Sequence, residues 1–313
     1  MPDVTVVVAA WNVEPFVAAA VESALAQDGV SVEVVVADDA STDGTAAAVE
    51  RMAGEDPRVV LSTTTENRGP AAARNRAVAL ARGDWIAVLD ADDRFAPGRL
   101  AALKSFAEAR KADVAFDLFS EVDADGRPID GSRAPRYDAP RRWALADWAL
   151  VNGLSNRGGE LPPGYMKPLI RKAFLDQHGI AYKERLRNSE DYFLVAEALA
   201  AGGSVWSSTE IGYLYTRREG SISHRIGPEH LEALLREERA AQASWRLNRA
   251  EAAALATRIK GLEDALACER VIKALKMRAP LRAAGALGAR PRAAPLFCAW
   301  VAEVLAKRLG TAA

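Results

Sequence analysis

Over the first 120 residues, short β-branched apolar runs alternate with segments of helical spacing. Val4 to Ala10 is compact enough for a buried strand. From Pro15 to Gln27 the apolar residues Phe16, Val17, Ala20, Val21, Ala24 and Leu25 then recur on one helical face, behind a proline suited to a first turn. The alternation continues with a strand over 32–37, and a helix that opens at Ser41-Thr42-Asp43-Gly44 and runs to about Ala53. Next come a strand over 59–62, a helix over 70–81, a strand over 85–89, a helix over 97–110 and a strand over 113–119. Strands separated by helices predict a mostly parallel α/β sheet, twisted and covered on both faces.

The pattern loosens between Glu121 and Pro163, where Asp125-Gly126, Asp130-Gly131 and several prolines predict a loop or lid carrying Trp143 and Trp148. Order returns over 165–174, in a helix over 189–201 and in two short strands, 205–207 and 212–216. From Glu229 to about Met277 the chain is Ala-rich and charged, which predicts helices; Pro280, Pro291 and Pro295 break it before a last helix over 296–309. The expected organisation is an α/β domain over 1–228, in halves 1–115 and 116–228, with a helical appendage over 229–313.

Composition adds constraints. The chain has 313 residues, 50% hydrophobic and 27% charged, with a net charge of -1, which excludes a disordered polyelectrolyte or a fibrous repeat. Two cysteines, Cys268 and Cys298, exclude a disulfide framework and a structural zinc site. The N-terminus lacks the basic region of a signal peptide, and no apolar stretch nears the roughly 20 residues that span a bilayer. A cytoplasmic protein is expected, soluble or peripheral to the inner face of the membrane. Charge is uneven: from Arg270 onward nine Lys or Arg face one acid, Glu303. That basic end suits an anionic membrane surface or a solvated helical bundle, and the lack of aromatic interleaving in Arg282 to Arg292 argues against nucleic acid.

In sheets of this kind ligands bind beyond the carboxyl ends of the strands, where the polar clusters of this chain lie. They are Asn12 and Glu14, Asp38 and Asp39, Asn67 to Gly69, and Asp90, Asp92 and Asp93. The sharpest is Val-Leu-Asp-Ala-Asp-Asp, 88–93. Asp90 and Asp92 at i and i+2 share a side, and at about 5 Å they repel by roughly 3 kcal/mol. A hard cation such as Mg²⁺ or Mn²⁺ offsets that repulsion; a solvated turn capping the next helix accounts for the same acids. In Ala37-Asp38-Asp39-Ala40-Ser41-Thr42-Asp43-Gly44-Thr45 a carboxylate can accept from a donor such as uracil N3–H, with the rest capping a helix. Glu66-Asn67-Arg68-Gly69-Pro70, with Arg74 one turn on, offers a helix N-terminus and an arginine to a diphosphate. Neither a Gly-x-Gly-x-x-Gly after a strand nor a Walker A lysine is present.

The order VVVAAWNVE, VVVADDASTDGT, ENRGPAAARNRA, GDWIAVLDADD and Asn188-Ser189-Glu190-Asp191-Tyr192 resembles the family 2 inverting glycosyltransferases of the GT-A fold, over roughly residues 3–225. Within them it is most similar to bacterial exopolysaccharide enzymes of the succinoglycan type. The resemblance implies a nucleotide-binding half and an acceptor half, a UDP-sugar donor with glucose as the sugar, Mn²⁺ or Mg²⁺, and a lipid-linked saccharide acceptor. It assigns Ala9, Asn12 and Glu14 to the uracil and ribose, Asp38 or Asp39 to uracil, and Gly69 and Arg74 to the nucleotide side. Asp92 becomes the direct metal ligand, Asp90 lies nearer the ribose, and Asp191 is the catalytic base. His224 matches a histidine that completes the metal shell in some relatives, while Lys167 and Arg171 fall where the family shapes its acceptor side. Two rivals are a phosphohydrolase with Asp90 as nucleophile, disfavoured by Arg94 where such enzymes want Thr or Val, and a sugar-nucleotide sensor without turnover.

Overall fold

The computed structural model of the chain describes residues 1–130, 133–153, 161–217 and 227–308, with side chains through Ala302. Two compact units emerge from the packing, one holding every strand and the first seven helices, the other the last four helices.

The first unit is built on β1 (Val4–Ala10), β2 (Val32–Asp38), β3 (Val59–Ser62) and β4 (Trp85–Asp90), parallel and in the order β3-β2-β1-β4. Helices α1 (Glu14–Leu25), α2 (Thr45–Glu55) and α3 (Pro70–Leu80) link them. Val4, Val6, Val7 and Val8 are buried, as are Val34 to Ala37, so these near-continuous apolar runs mark a sheet covered on both faces. The chain steps outward from β1 to β3 and then returns to the other side of β1 for β4. That reversal is a topological switch point, and it opens a crevice beyond the carboxyl ends of β1 and β4.

Past β4 the sheet is mixed. Its nine strands continue as β8 (Leu169–Arg171), β6 (Val114–Val122), β9 (Val205–Thr216) and β5 (Arg94–Phe95), with β7 (Arg141–Arg142) paired to β9. Strand β8 runs antiparallel to both neighbours, Ala87 pairing with Leu169 and Trp85 with Arg171. The residues just before β8 therefore arrive at the carboxyl end of β4. Remaining helices of this unit are α4 (Arg99–Ala109), α5 (Leu145–Val151), α6 (Lys172–His178) and α7 (Glu190–Ala200).

Three expectations are corrected. The stretch expected as a loop or lid contains β7 and α5, because Trp148 is fully buried, stacked on Phe116 and Tyr192, and pulls its segment into the core. The two short strands over 205–207 and 212–216 are one strand, β9, whose polar Ser207 to Glu210 pass through register shifts against β6. Pro280 does not end helical structure; it occupies the first turn of a helix, where its missing N–H costs nothing.

That helix belongs to the second unit, which consists of α8 (Pro228–Ser244), α9 (Arg249–Lys276), α10 (Pro280–Ala289) and α11 (Ala294–Arg308). An Asn248–Glu251 capping box starts α9. The buried pair Arg258–Glu238, 2.5 Å apart, ties α9 to α8, and Ile272, Cys268 and Ala293 pack with Leu296, Phe297 and Trp300. Of the two cysteines, Cys268 is buried and Cys298 exposed.

Candidate active site

At the crevice the first four strands present their carboxyl ends together. Ala9 is in register with Ala37 on one side and Asp90 on the other, and Ala10 with Asp38, so Asp38 and Asp90 end the two strands that flank β1. Asn12 accepts from the Thr42 amide (2.8 Å) and Glu14 from the Gly44 amide (2.8 Å), while the Asn12 amide donates to Ser41 Oγ (3.0 Å). Both side chains thus hold the loop after β2 in place. Asp39 accepts from the amides of Arg68 (3.1 Å) and Gly69 (2.7 Å), fastening the start of α3 beneath it. Gly69 has φ 93°, a conformation that only glycine adopts without strain. Asp38 is buried; one oxygen accepts from the Ser41 amide (3.1 Å) and the other, Oδ1, accepts nothing from the described residues. Arg187 lies against Gly69 and donates to Asn67 (2.7 Å), adding a cation on the α3 side.

Asn12, Ala40 and Ser189 stand at φ 51°, 61° and 66°. Left-handed backbone at non-glycine residues costs of order 1–3 kcal/mol each, and such strain gathers at functional sites.

The deeper part of the crevice is a cluster of charges. Arg74, buried on α3, reaches Asp90 (2.7 Å), Glu190 (2.5 Å) and Asp191 (3.6 Å). Lys167, buried just before β8, puts its Nζ 2.8 Å from Asp90 and 2.7 Å from Asp191. A single ammonium therefore bridges the strand-end acid of β4 and the first turn of α7, although 101 residues separate them in sequence. Burial works against the charge on Asp90, but Lys167 and Arg74 outweigh it and hold its carboxyl well below the ordinary carboxylate range. Burial likewise opposes the Lys167 ammonium, and Asp191 with Asp90 raise its pKa well above the ordinary lysine value. Glu190 shifts up, chiefly through burial. Asp191 Oδ1 is buried and accepts no hydrogen bond among the described residues.

Beneath this cluster lies a support that sequence reasoning missed. The Tyr213 hydroxyl donates to Asp93 (2.7 Å) and accepts from the Asp90 amide (3.1 Å), and Asp93 also accepts from the Thr216 amide (2.7 Å). Burial, with the charges of Asp92 and Asp90, raises the Asp93 carboxyl well above its ordinary value. Arg99 pairs with Asp117 through two contacts of 2.7 Å and donates to the Lys167 carbonyl (2.8 Å), which fixes where the ammonium starts. Asp117, in the otherwise apolar 114–119, was the one signal for this pairing in the sequence. Of the two acceptor-side candidates, Lys167 joins the cluster, whereas Arg171 covers Trp85 two strand positions further along the sheet.

Among the described residues no three His, Cys, Asp or Glu side chains form a ready-made metal cage. A divalent ion at a diphosphate commonly takes only one or two protein carboxylates, with substrate oxygens and water completing its shell. Hard oxygen donors at a strand end, Asp92 half-exposed beside Asp90, suit that mode. Asp90 already serves two cations, Arg74 and Lys167. His224 lies outside the described residues.

A 3-2-1-4 sheet continued by a mixed half, with acids at its switch point, is the architecture of a GT-A transferase of sugars from nucleotides. The family model for glycosyl transferase family 2 matches residues 5–158. Two succinoglycan biosynthesis proteins of Rhizobium meliloti (strain 1021) are each 39% identical to this chain. ExoO matches over 89% of this chain and 79% of its own length, and ExoU over 84% and 76%. A third relative, WfaP of Escherichia coli, is named a UDP-Glc:α-D-GlcNAc-diphosphoundecaprenol β-1,3-glucosyltransferase and is 34% identical over 37% of this chain and 45% of its own. In structure, S. aureus TarS 1–349 with UDP-GlcNAc aligns at a TM-score of 0.65 and 21% identity, over 90% of this chain and 89% of that one. The mannosyltransferase PcManGT of Pyrobaculum calidifontis, with GDP-Man and Mn²⁺, aligns at 0.59 and 21%, over 99% and 83%. The chain belongs to glycosyl transferase family 2 and is a glycosyltransferase.

Proposed function

We propose that this enzyme transfers glucose from UDP-glucose to a lipid-linked saccharide in the assembly of a bacterial exopolysaccharide, inverting the anomeric centre in one displacement. The pathway is suggested by the succinoglycan proteins, and the donor and lipid-diphosphate acceptor by the name of WfaP. In this reading residues 1–115 form the donor half, 116–228 the acceptor half and 229–313 a basic appendage.

One observation carries the chemical assignment: the buried Oδ1 of Asp191, 3.6 Å from Arg74 and accepting no hydrogen bond among the described residues, stands in the same ionic cluster as Asp90. An acceptor hydroxyl must lose a proton as its oxygen bonds to the anomeric carbon and the bond from that carbon to the UDP oxygen breaks. Asp191 Oδ1 takes that proton. Asp38 or Asp39 reads the uracil edge, Ala9 leaves room beside Asp90 for the ribose, and Gly69 and Arg74 flank the nucleotide. Asn12 and Glu14 act by shaping the loop that frames the base. Asp92, with Asp90 beside it and His224 as a further candidate, would hold Mn²⁺ or Mg²⁺; such an ion, when bound, neutralises charge developing on the departing diphosphate. Because attack comes from the face opposite UDP, an α-linked donor gives a β-linked product.

Transfer by Asp191→Asn should fall by about 10²- to 10⁴-fold while UDP affinity, read by calorimetry, stays within a few-fold. Unchanged turnover would remove Asp191 from the mechanism. Donor hydrolysis across UDP-sugars, with Mn²⁺, Mg²⁺ or chelator, tests the rest: activity should be highest with UDP-glucose and lost on chelation, and activity that survives thorough chelation contradicts the metal assignment.

A further inference from the structure

Among the described residues of the second unit, the most exposed large apolar side chains gather at one place, the turn from α9 to α10. Leu275 is 41% exposed, Met277 63% and Leu281 88%. Single exposed apolar residues need no explanation, but three within one turn form a patch. Residues 274–284 also carry Lys276, Arg278 and Arg282 and not one acid. These three cations are exposed, and none forms an ion pair among the described residues. Cations on either side are neutralised: Arg270 by Glu232 (2.8 Å), Lys273 by Glu229 (2.9 Å) and Arg290 by Glu263 (2.7 Å). Pairing therefore stops where the turn begins and resumes where α10 ends.

The turn is held independently of its outward side chains. Val271, Ala274 and Ala283 bury its inner side against Leu287 and Phe297. The Ala279 amide donates to the Ala274 carbonyl (2.9 Å) and the Arg278 amide to the Leu275 carbonyl (2.9 Å). Leu281 and Met277 are thus presented by a folded element that does not need them for its core. Apolar tips interleaved with exposed cations match the boundary between acyl chains and anionic headgroups. No described helix is long and apolar enough to cross a membrane.

We propose that the α9–α10 turn docks on an anionic lipid surface, with Met277 and Leu281 entering the headgroup boundary and Lys276, Arg278 and Arg282 meeting lipid phosphates. The test uses the full chain and sedimentation with phosphatidylcholine vesicles, with and without phosphatidylglycerol. Binding should require the anionic lipid and weaken with salt. Arg278→Gln and Arg282→Gln should each lower partitioning about fivefold, and Leu281→Ser about tenfold. Circular dichroism and donor hydrolysis in free solution should be unaltered in Leu281→Ser. Equal binding to neutral vesicles, or partitioning of Leu281→Ser equal to that of the unaltered chain, would overturn the proposal. So would a dimer in analytical ultracentrifugation that Leu281→Ser abolishes without changing vesicle binding, because the patch would then be a protein interface.

Discussion

Lys167→Met removes the ammonium that joins Asp90 to Asp191 and leaves an apolar chain of similar length in its place. Buried Asp191 and partly buried Asp90, each with an oxygen within 2.8 Å of the lost nitrogen, then face each other with Arg74 as the nearest cation. At about 5 Å and an effective dielectric of 20 their repulsion is roughly 3 kcal/mol. Breaking a buried pair by removing one partner costs about 3–5 kcal/mol, and Arg74 holds the expectation toward the lower end. The penalty must depend on pH. In the unaltered protein the Asp90 carboxyl is depressed, so its stabilising contribution is present above the unfolded carboxylate value and is lost only as pH falls through the lower folded value. Without Lys167, burial acts on Asp90 with one opposing cation fewer, so its carboxyl takes up a proton at a higher pH than in the unaltered protein. The gap between the two proteins should therefore be largest near pH 7.5 and shrink by about 1–3 kcal/mol at pH 5. Urea unfolding at both pH values, followed by tryptophan fluorescence, measures it; Trp11, Trp85, Trp143, Trp148 and Trp206 all lie in the first unit. A penalty below about 1 kcal/mol at both pH values, or one that grows on acidification, would refute the view that Lys167 neutralises this pair.

Asp93→Asn should flatten one part of the pH profile. Burial and the neighbouring acids raise the Asp93 carboxyl in the folded protein, so its contribution is full below the unfolded value and is lost as pH rises through the folded one. Stability of the variant relative to the unaltered chain should therefore improve with rising pH, as successive urea melts would report. Gly212→Ala should cost about 3 kcal/mol or more, or abolish soluble expression, because the new Cβ would lie 2.2 Å from an Asp117 oxygen and 2.7 Å from Arg99 Cγ. Thermal melting decides it, and a near-neutral melt would show that the Arg99–Asp117 pair can shift freely. Asp39→Ala should weaken UDP binding about tenfold or more, since the Arg68 and Gly69 amides lose the carboxylate that orders them; unchanged calorimetric affinity would exclude that role.

The strand-end acids of β2 and β4 were readable because their signals are local. A buried run ending in Asp38-Asp39, and another ending in Asp90, can be recognised from short windows, and the helices between them follow from spacing and from Pro15 and Pro70. The cluster built from β8 and α7 depends on pairings across long separations. Lys167 acquires its meaning only when an antiparallel β8 brings it to the end of β4, and nothing near Lys167 in the chain announces that. Tyr213 was hidden similarly, within a strand that its polar middle made look like two. Asp117 and Glu121 are charges in an apolar setting, and each is buried against arginine: Arg99 for the first, Arg133 and Arg217 for the second. Such misplaced charges were the usable hint, though they name no partner. In the second unit the capping box and Ala-rich spacing were local, whereas helix formation after Pro280 depended on the packing of Ala283 against Val271 and Ala274.

Strand β8 sits between β4 and β6, yet both of those precede it in the chain. During synthesis, β1 to β4 can assemble in the order in which they leave the ribosome, but β6 must wait for a neighbour that has not yet been made. Until residues 169–171 emerge, the free side of β4 and both sides of β6 offer unpaired backbone, because β9, the other neighbour of β6, comes later still. The nascent chain is therefore most exposed to mispairing during the translation of residues 123–168, and slowing elongation across that window should lower the yield of soluble protein.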